Sequence, residues 1–392
     1  MPCGADEDSM GVSHHGEETP GIGLYVHWPF CVRKCPYCDF NSHVTARVDH
    51  ERWRRALLGA LDCEAARAPG RTLASVFFGG GTPSLMEPAT VAAVLERALT
   101  HWSPAPTLEV TLEANPGTVD CDTFADFRAA GVNRLSLGVQ ALDDESLHRL
   151  DRIHDTAQAV AAIVAGQRIF PRVSFDLIYA RPDQTLASWR RELEQALALA
   201  PEHLSLYQLT IEAGSALRAW RLPDEDTATD LYHLTQDMTA AAGLPAYEIA
   251  NHARAGAECR HHLISWQGGE FVGIGPGAHG RVTDVSGAFL ATCQHRSPKT
   301  WLARGERGDY GTSSAVSSWE RVEEILLMGL RLTAGIARPL FQTLTGRTLE
   351  AVLDPSAVEC LKGYLVLDEA GLRTTRDGRL VLNEILRQLH TK

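Results

Sequence analysis

Residues 22–40 read Ile-Gly-Leu-Tyr-Val-His-Trp-Pro-Phe-Cys-Val-Arg-Lys-Cys-Pro-Tyr-Cys-Asp-Phe, a predicted strand followed by a loop with three cysteines. The apolar run at 22–28 is typical of a short buried β-strand, and the proline after it ends the strand. Cys31, Cys35 and Cys38 have the spacing C-x3-C-x2-C. Because three thiols so close in sequence can reach one centre, this loop predicts a metal ion or a cluster directly after the first strand.

The number of thiols favours an iron–sulfur cluster over zinc. Structural zinc takes four ligands, usually as two separated pairs, and the nearest additional candidates, His27 and His43, do not have that spacing. A [4Fe–4S] cluster held by three protein thiolates leaves one iron open for a substrate or cofactor. The chain has nine cysteines, and those outside this loop are scattered, which is not the pattern of a disulfide framework.

Outward from this loop, strand and helix patterns alternate about six times between residues 22 and 245. After the first strand, the predicted strands cover residues 73–78, 108–113, 134–139, 173–179 and 203–209. Such alternation indicates an α/β fold with parallel strands and helical crossovers. Because a closed barrel of this kind has about eight strand–helix units, we predict an open, partial (βα)6 barrel over residues 21–250.

The remaining sequence predicts three further parts. Residues 1–20 are polar and acidic and predict a disordered tail. Residues 251–300 predict a connecting segment, and residues 301–392 a small C-terminal α+β domain of winged-helix type. In that domain a hairpin is predicted over 372–382, with Asp377-Gly378 as its turn. Its predicted helices cover residues 318–332, 351–364 and 382–390.

Composition and charge exclude several classes of protein. Asp and Glu number 49 against 37 Lys and Arg, so the net charge is −12. This argues against binding nucleic acid, which relies on cationic patches. The mean hydropathy is −0.14, and no apolar run reaches the roughly 18 residues that would span a bilayer. We therefore expect no membrane segment, and a cytoplasmic location that keeps the thiols reduced.

The cysteine loop resembles the cluster motif of the radical S-adenosylmethionine (SAM) superfamily. The segment Tyr-Val-His-Trp-Pro-Phe at 25–30 resembles, more narrowly, the coproporphyrinogen III oxidase-like (HemN/HemW) family. The resemblance implies that Cys31, Cys35 and Cys38 hold a [4Fe–4S] cluster whose open iron binds SAM. In that superfamily, one-electron reduction cleaves SAM to a 5′-deoxyadenosyl radical.

The same resemblance implies a SAM-binding set that follows the chain from one predicted strand end to the next. Tyr37 resembles the family aromatic near the adenine, and Phe-Gly-Gly-Gly-Thr-Pro-Ser at 78–84 resembles the motif that pairs with the SAM amino group. Taken alone, the glycines also suit a tight turn, and Arg152 suits a surface salt bridge. The implied SAM set is Tyr25, Tyr37, Phe40, Gly80, Gly81, Thr82, Glu113, Gln140, Arg152 and Asp176.

Two segments depart from known glycine patterns. The family's Tyr-Gly-Leu-Pro-Gly-Gln-Thr reads Tyr-Ala-Arg-Pro-Asp-Gln-Thr at 179–185, so Ala180 and Asp183 replace glycines. The segment Gly-Ile-Gly-Pro-Gly-Ala-His-Gly at 273–280 has glycines at dinucleotide-like intervals. Because Pro276 interrupts it, the sequence does not predict a nicotinamide site there.

Within the family, the residue at position 40 favours the haem-chaperone (HemW-type) branch. The oxidase branch has a fourth cysteine two residues after the third, and this chain has Phe40 there. The run Cys-Asp-Phe-Asn-Ser at 38–42 resembles the chaperone branch instead.

That branch also has a His-Asn-x-x-Tyr-Trp signature proposed to bind haem, which reads His-His-Leu-Ile-Ser-Trp at 261–266. The resemblance implies His261 as the iron ligand, with His262 as its substitute and Trp266 as an apolar plate for the porphyrin. His279 and Cys259 are weaker candidates, and a histidine pair without any metal is the alternative.

The resemblance implies a haem chaperone that carries a SAM-bound cluster, binds haem and delivers it to respiratory haemoproteins. Its implied partners are haem, those acceptors and a haem donor such as bacterioferritin, and self-association as a dimer is compatible with it. The alternative is an oxygen-independent coproporphyrinogen III dehydrogenase, against which Phe40 argues. A different radical SAM enzyme is a third hypothesis.

Overall fold

The computed structural model describes residues 21–45, 47–211, 217 and 220–389, so the tail predicted at 1–20 lies outside the described residues. In chain order, the strands are β1 (Ile22–Trp28), β2 (Phe30–Cys31), β3 (His43–Val44), β4 (Thr72–Gly80), β5 (Ser103–Ala114), β6 (Arg134–Gln140), β7 (Arg172–Tyr179), β8 (His203–Gln208), β9 (Asn251–Ala253), β10 (Phe271–Ile274), β11 (His279–Thr283), β12 (Phe289–Gln294), β13 (Gly311–Ala315), β14 (Ile336–Ala337), β15 (Leu365–Leu367) and β16 (Gly371–Thr374).

The helices of the same described residues lie between these strands. They are α1 (His50–Ala65), α2 (Pro88–His101), α3 (Cys121–Ala129), α4 (Asp144–Arg149), α5 (Thr156–Ile169), α6 (Leu186–Ala198), α7 (Glu225–Ala241), α8 (Arg260–Trp266), α9 (Pro298–Gly305), α10 (Ser318–Gly329), α11 (Arg338–Thr345), α12 (Leu349–Val352), α13 (Pro355–Cys360), α14 (Arg376–Leu380) and α15 (Leu382–Gln388). None is long and apolar enough to cross a membrane.

The predicted fold class is confirmed by six parallel strands in the order β1-β4-β5-β6-β7-β8. A helix follows each strand, and several of these helices begin at an aspartate whose carboxylate accepts from a backbone N–H of the first turn, as with Asp49, Asp120 and Asp224. The two outer strands, β1 and β8, pair with other strands rather than with each other. The six units therefore form an open, partial barrel.

Alternation along β1 decides which side chains face the inside of the barrel. Leu24, Val26 and Trp28 are buried in the main apolar core with the helices. The residues between them, Tyr25 and His27, point to the opposite face, because successive strand residues alternate. This concave face of the sheet, defined by Tyr25 and His27, carries the polar residues discussed below.

The sheet continues past the barrel on the side of β1. β10 is parallel to β1, and β11, β12 and β13 follow as antiparallel neighbours. With β9, which pairs antiparallel with β8 on the other side, the sheet has eleven strands among the described residues. The segment 251–300, expected to be a connection, therefore contributes β9–β12 to the main sheet. The expected boundary at 300 also differs, because α9 and β13 belong to this unit. These strands are short and border glycine-rich turns, so their sequence pattern is weak.

Trp301 packs α9 against the barrel core, and its replacement tests how much this packing contributes to stability. Its fully buried ring stacks on Trp53 at 5.4 Å between centroids, and its Nε1 donates to Gln294 Oε1 at 2.9 Å. We expect Trp301→Ala to lower the free energy of unfolding by about 3–5 kcal/mol, measured by urea denaturation. The exposed Val285→Ala is the control and should change it by less than about 0.5 kcal/mol. Equal effects of the two variants would contradict this assignment.

The C-terminal unit has its own apolar cluster and a three-stranded sheet in the order β14-β16-β15, as expected for a small α+β domain. The prediction of Asp377-Gly378 as a hairpin turn was wrong. The hairpin joins β15 to β16, and Thr375 instead begins α14 by accepting from the Gly378 N–H at 3.0 Å. The helix predicted over 351–364 is divided at Pro355, because proline fits the first turn of a helix and not its interior.

Candidate cluster and SAM site

The cysteine loop lies at the carboxyl ends of the parallel strands. Cys31 belongs to β2, which follows β1 after a single residue and pairs with β3. The N–H of Cys38 donates to the carbonyl of Cys35 at 3.1 Å, so the second and third cysteines share one turn. All three side chains are half-buried. The structure thus holds three free thiols together where parallel α/β folds place their sites.

Each of these thiols lies within hydrogen-bond distance of a polar side chain. The contacts are Thr82 Oγ1 to Cys31 Sγ at 3.4 Å, Arg152 Nη1 to Cys35 Sγ at 3.5 Å, and Ser42 Oγ with Cys38 Sγ at 3.8 Å. Burial raises the pKa of the Cys31 thiol, and the other two cysteines raise it further. Three thiolates would repel one another here, and bound iron cations would remove that repulsion.

The donor set fits an iron–sulfur cluster better than a single ion. Within the described ranges, no three His, Cys, Asp or Glu side chains are arranged to hold one metal ion. In a [4Fe–4S] cluster each thiolate binds a different iron, so the thiols need to surround a larger group. Cys31, Cys35 and Cys38, with one hydrogen-bonding neighbour each, satisfy that chemistry.

The glycines at 79–81 are needed for packing within the protein. A Cβ at Gly80, whose φ is +112°, would lie 2.6 Å from His27 Cε1, and one at Gly81 would lie 2.7 Å from the Phe30 carbonyl oxygen. The Gly81 N–H donates to the Trp28 carbonyl at 2.7 Å. The missing Cβ atoms therefore let β4 approach the end of β1 and the cysteine loop, and the contact of this segment with SAM stays a prediction.

Two carboxyl groups lie on the concave face without a cation in direct contact. The Glu113 carboxylate accepts from the Gly80 N–H at 3.1 Å, and burial followed by repulsion from Asp176 raises its pKa to about 8. Burial raises the pKa of Asp176 to about 6, and its Oδ1 has no hydrogen-bond partner. Such a pair fits a ligand that brings positive charge or several donors, as the sulfonium, ammonium and ribose hydroxyls of SAM do.

Arg152 connects the cysteine loop to the barrel. Its Nη1 lies 3.5 Å from Cys35 Sγ and 3.3 Å from the Tyr37 hydroxyl, while Nη2 donates to the Gly138 carbonyl at 2.6 Å. Its Nε is buried without a partner. The surface salt-bridge alternative does not describe these contacts, since Arg152 faces the cysteine thiol rather than a surface acid.

The loop after β7 is held in a conformation that its residues do not favour. Ala180 and Asp183, which replace glycines of the family pattern, have φ values of +57° and +62°. Between them, buried Arg181 donates to Glu192 Oε2 at 2.5 Å and to the Ile178 carbonyl at 3.0 Å. This ion pair stabilises a left-handed turn that glycine would adopt without strain.

Comparison with known proteins agrees with this geometry. The family described as "Radical SAM superfamily" matches residues 25–196, and "HemN C-terminal domain" matches residues 316–381. The chain is 39% identical over 375 residues to "Heme chaperone HemW" of Escherichia coli, covering 94% of this chain and 98% of that protein. This chain belongs to the HemN/HemW family of radical SAM proteins.

Two further known proteins are similar to this member of the HemN/HemW family. It is 40% identical over 397 residues to the mouse "Radical S-adenosyl methionine domain-containing protein 1, mitochondrial", covering 97% of this chain and 90% of that protein. The solved structure titled "Coproporphyrinogen III oxidase (HemN) from Escherichia coli is a Radical SAM enzyme" matches with a TM-score of 0.79 at 21% identity, covering 95% and 90% of the two chains. At that identity it shows the shared fold alone.

Three further SAM candidates, Tyr25, Gln140 and Phe40, lie on β1, at the end of β6 and on the cysteine loop of this family member. The Tyr25 hydroxyl is 3.0 Å from His27 Nδ1 on the concave face, and burial raises its pKa well above the ordinary value. Gln140 ends β6 with φ at +75°, a left-handed residue at a strand end. Phe40 is 59% exposed on the cysteine loop, so its ring is available to a ligand rather than part of the core.

The haem-signature histidines lie in the barrel interior beside the first residues of β1 and β4, and the His261 ring also stacks on Tyr25 at 6.1 Å. α8 carries them, and His261 is only 7% exposed, with its Nδ1 2.9 Å from Ser75 Oγ and its ring stacked 5.2 Å from Phe77. Burial lowers the pKa of His261 to about 4 and that of His262 to about 3, so both are neutral. Trp266 lies beneath the Arg331 guanidinium at 4.6 Å. The iron-ligand role of His261 stays a prediction.

Two residues that hold the cysteine loop, Asn41 and Ser42, were not predicted from the sequence. The Asn41 amide donates to the carbonyls of Pro276 and Arg296, both at 2.9 Å, and so ties the cysteine loop to the end of the sheet extension. A Cβ at Gly277 would lie 2.9 Å from that amide. The second, Ser42, accompanies Cys38. The Cys-Asp-Phe-Asn-Ser run and the unexplained glycines at 273–280 were the only signals of this contact.

Proposed function

We propose that this protein is a haem chaperone that carries a [4Fe–4S] cluster and SAM and delivers haem to respiratory haemoproteins. The observation that carries the proposal is its 39% identity to a named haem chaperone over nearly the whole of both chains. Phe40 supports the same branch, because a fourth cysteine is absent at that position of the loop. A bacterioferritin-like donor, a dimeric state and a cytoplasmic location remain predictions.

Three residues are proposed to bind the cluster, and neighbouring side chains to donate hydrogen bonds to their sulfurs. Cys31, Cys35 and Cys38 would supply the thiolates, with Arg152 and Thr82 placed to donate to two of the sulfurs. When bound, the cluster supplies an open iron at which SAM can bind. The chain's own residues keep the thiols partly shielded from water and fix the loop through β2 and β3.

A second group of side chains is proposed to hold SAM. Glu113 and Asp176 both lie on the concave face, and the charge of Asp176 contributes to the raised pKa of Glu113. Each can accept from a cationic or hydroxyl donor. Arg152 supplies a positive charge beside Cys35 that suits the carboxylate of SAM. Tyr25, Tyr37, Phe40, Gln140 and the segment Gly80–Thr82 are proposed to complete the pocket.

The proposal is tested by haem uptake and by product analysis on the same sample. The full chain, anaerobically reconstituted with iron and sulfide, is titrated with hemin, and separately incubated with SAM, dithionite and coproporphyrinogen III. We expect saturable hemin binding and no protoporphyrinogen. Phe40→Cys, which introduces the fourth cysteine of the oxidase branch, is measured in parallel as the matched variant. Protoporphyrinogen formed by the unmodified chain over many turnovers would overturn the proposal in favour of the dehydrogenase.

A further inference from the structure

A histidine can bind haem iron only if a flat group about 10 Å across can approach its ring, and the described histidines differ in their exposure. His261 is nearly inaccessible, and Ser75 holds its Nδ1. A Cβ on Gly23 would lie only 3.1 Å from the same nitrogen, so β1 also covers the ring. Iron could reach His261 only if α8 left the barrel.

His279 is exposed and lies on the concave face beyond the barrel. In β11, Gly280 and Val282 are buried, whereas His279 is exposed, which places it on the other face. A Cβ on Gly273 would overlap the His279 backbone, and Gly273 is the register partner of Tyr25. His279 therefore continues the row of concave-face residues that begins in the proposed SAM pocket.

Cys293 is the cross-strand neighbour of His279. The two residues are paired in the β11–β12 register, and the Cys293 Sγ lies 3.8 Å from His279 Nε2. A thiol at hydrogen-bond distance from one ring nitrogen fixes the ring and leaves the other nitrogen for a metal. In this pair, His279 has the chemistry of an iron ligand and Cys293 that of the side chain that orients it.

The surroundings of His279 carry the other features that haem requires. Asn41 holds the cysteine loop against the carbonyls of Pro276, three residues before His279, and Arg296, three residues after its strand partner Cys293. Phe40, 59% exposed, offers an apolar ring on that loop. Lys34 and Arg296 are exposed, and neither forms an ion pair with any described residue. These cations suit carboxylate propionates.

We propose that His279, oriented by Cys293, is the axial ligand of the haem iron, with Phe40 against the porphyrin and Lys34 and Arg296 at the propionates. This inference rests on the proposed haem function and replaces only the ligand implied by the signature at 261–266. It places the haem on the exposed concave surface beside the cysteine loop, where an acceptor protein can reach it.

The test titrates hemin into the full reconstituted chain and into single variants, following the Soret band and the iron spin state. Removing an orienting partner of a metal ligand costs about 10- to 100-fold in affinity, and removing the ligand costs at least as much. We therefore expect His279→Gly to lose more than about tenfold, and Cys293→Ser to lose less. His261→Ala tests the ligand implied by the signature, and the exposed control His148→Ala should bind as the unmodified chain does.

Addition of imidazole distinguishes a lost ligand from a damaged fold. In His279→Gly, free imidazole should restore the ligand-field spectrum of the unmodified complex, which it cannot do for an unfolded chain. Hemin binding by His279→Gly with unchanged affinity and spectrum, or loss confined to His261→Ala, would overturn the assignment. Failure of the unmodified chain to bind hemin would instead overturn the proposed function, and this inference with it.

Discussion

Replacing Cys35 with alanine is expected to abolish binding of the [4Fe–4S] cluster. Two thiolates would remain for a group that needs three, and the Arg152 Nη1 that lies 3.5 Å from the Cys35 sulfur would face an empty position. After anaerobic reconstitution, the iron and acid-labile sulfide per chain should fall to background, together with the visible absorption of the cluster.

The control for this variant is Cys63→Ala, which removes an exposed thiol from α1 far along the chain from the loop. It should retain the iron and sulfide content of the unmodified chain. Thermal unfolding of both apo-variants should be similar, because the Cys35 side chain is only half-buried. Full cluster content in Cys35→Ala would show that the loop does not bind the cluster, whatever its spacing.

The features that sequence predicted well are those encoded locally. The cysteine spacing is contained in eight residues, and each parallel strand carries its own apolar run. Because the carboxyl ends of parallel strands meet at one edge, residues placed at successive strand ends come together without further information. Asp176 raises the pKa of Glu113, 63 residues earlier in the chain, for this reason.

The features that sequence missed depend on contacts distant in the chain. The short strands of the extension have little hydrophobic pattern of their own and are held by pairing with β1 and with one another. Asn41 reaches a carbonyl 235 residues away, and nothing in its own neighbourhood specifies that partner. The burial of His261 depends on where α8 docks, and a six-residue signature carries no such information.

The glycines show how one pattern allows two physical explanations. An absent Cβ can admit a ligand or a neighbouring strand, and the sequence does not distinguish them. At Gly80 and Gly81 the space is filled by the protein itself. The site therefore depends on how closely β4 and the cysteine loop pack, and a side chain at either glycine would displace the thiol-bearing segment before it met any ligand.

The affinity for SAM is expected to rise as the pH increases from about 6 to about 8, and Glu113→Gln is expected to flatten that rise. Since the pKa of Glu113 is raised to about 8 from an ordinary 4.5, the carboxyl is mostly protonated at neutral pH in the ligand-free chain. A bound cation favours the carboxylate form, so SAM binding releases the proton of Glu113. At higher pH that proton has already dissociated, and SAM therefore binds more tightly.

The opposite dependence is expected for the stability of the ligand-free chain. Between pH 4.5 and about 8 the folded chain holds a proton on Glu113 that the unfolded chain has released. The free energy of unfolding therefore falls as the pH rises through this window, and Glu113→Gln, which stays neutral, should show a shallower fall. Urea denaturation of both chains across the window measures this difference.

Isothermal titration of SAM into the reconstituted chain, in buffers of different ionisation enthalpy, counts the released protons directly. Titration of SAM itself and of the cluster is common to both chains, so the difference between the unmodified chain and Glu113→Gln isolates the carboxyl. The pKa of the neighbouring Asp176 is raised to about 6. This carboxyl should therefore contribute mainly at the lower end of the range from about pH 6 to about 8. Equal proton release by the two chains would contradict a protonated Glu113 that gives up its proton to SAM binding.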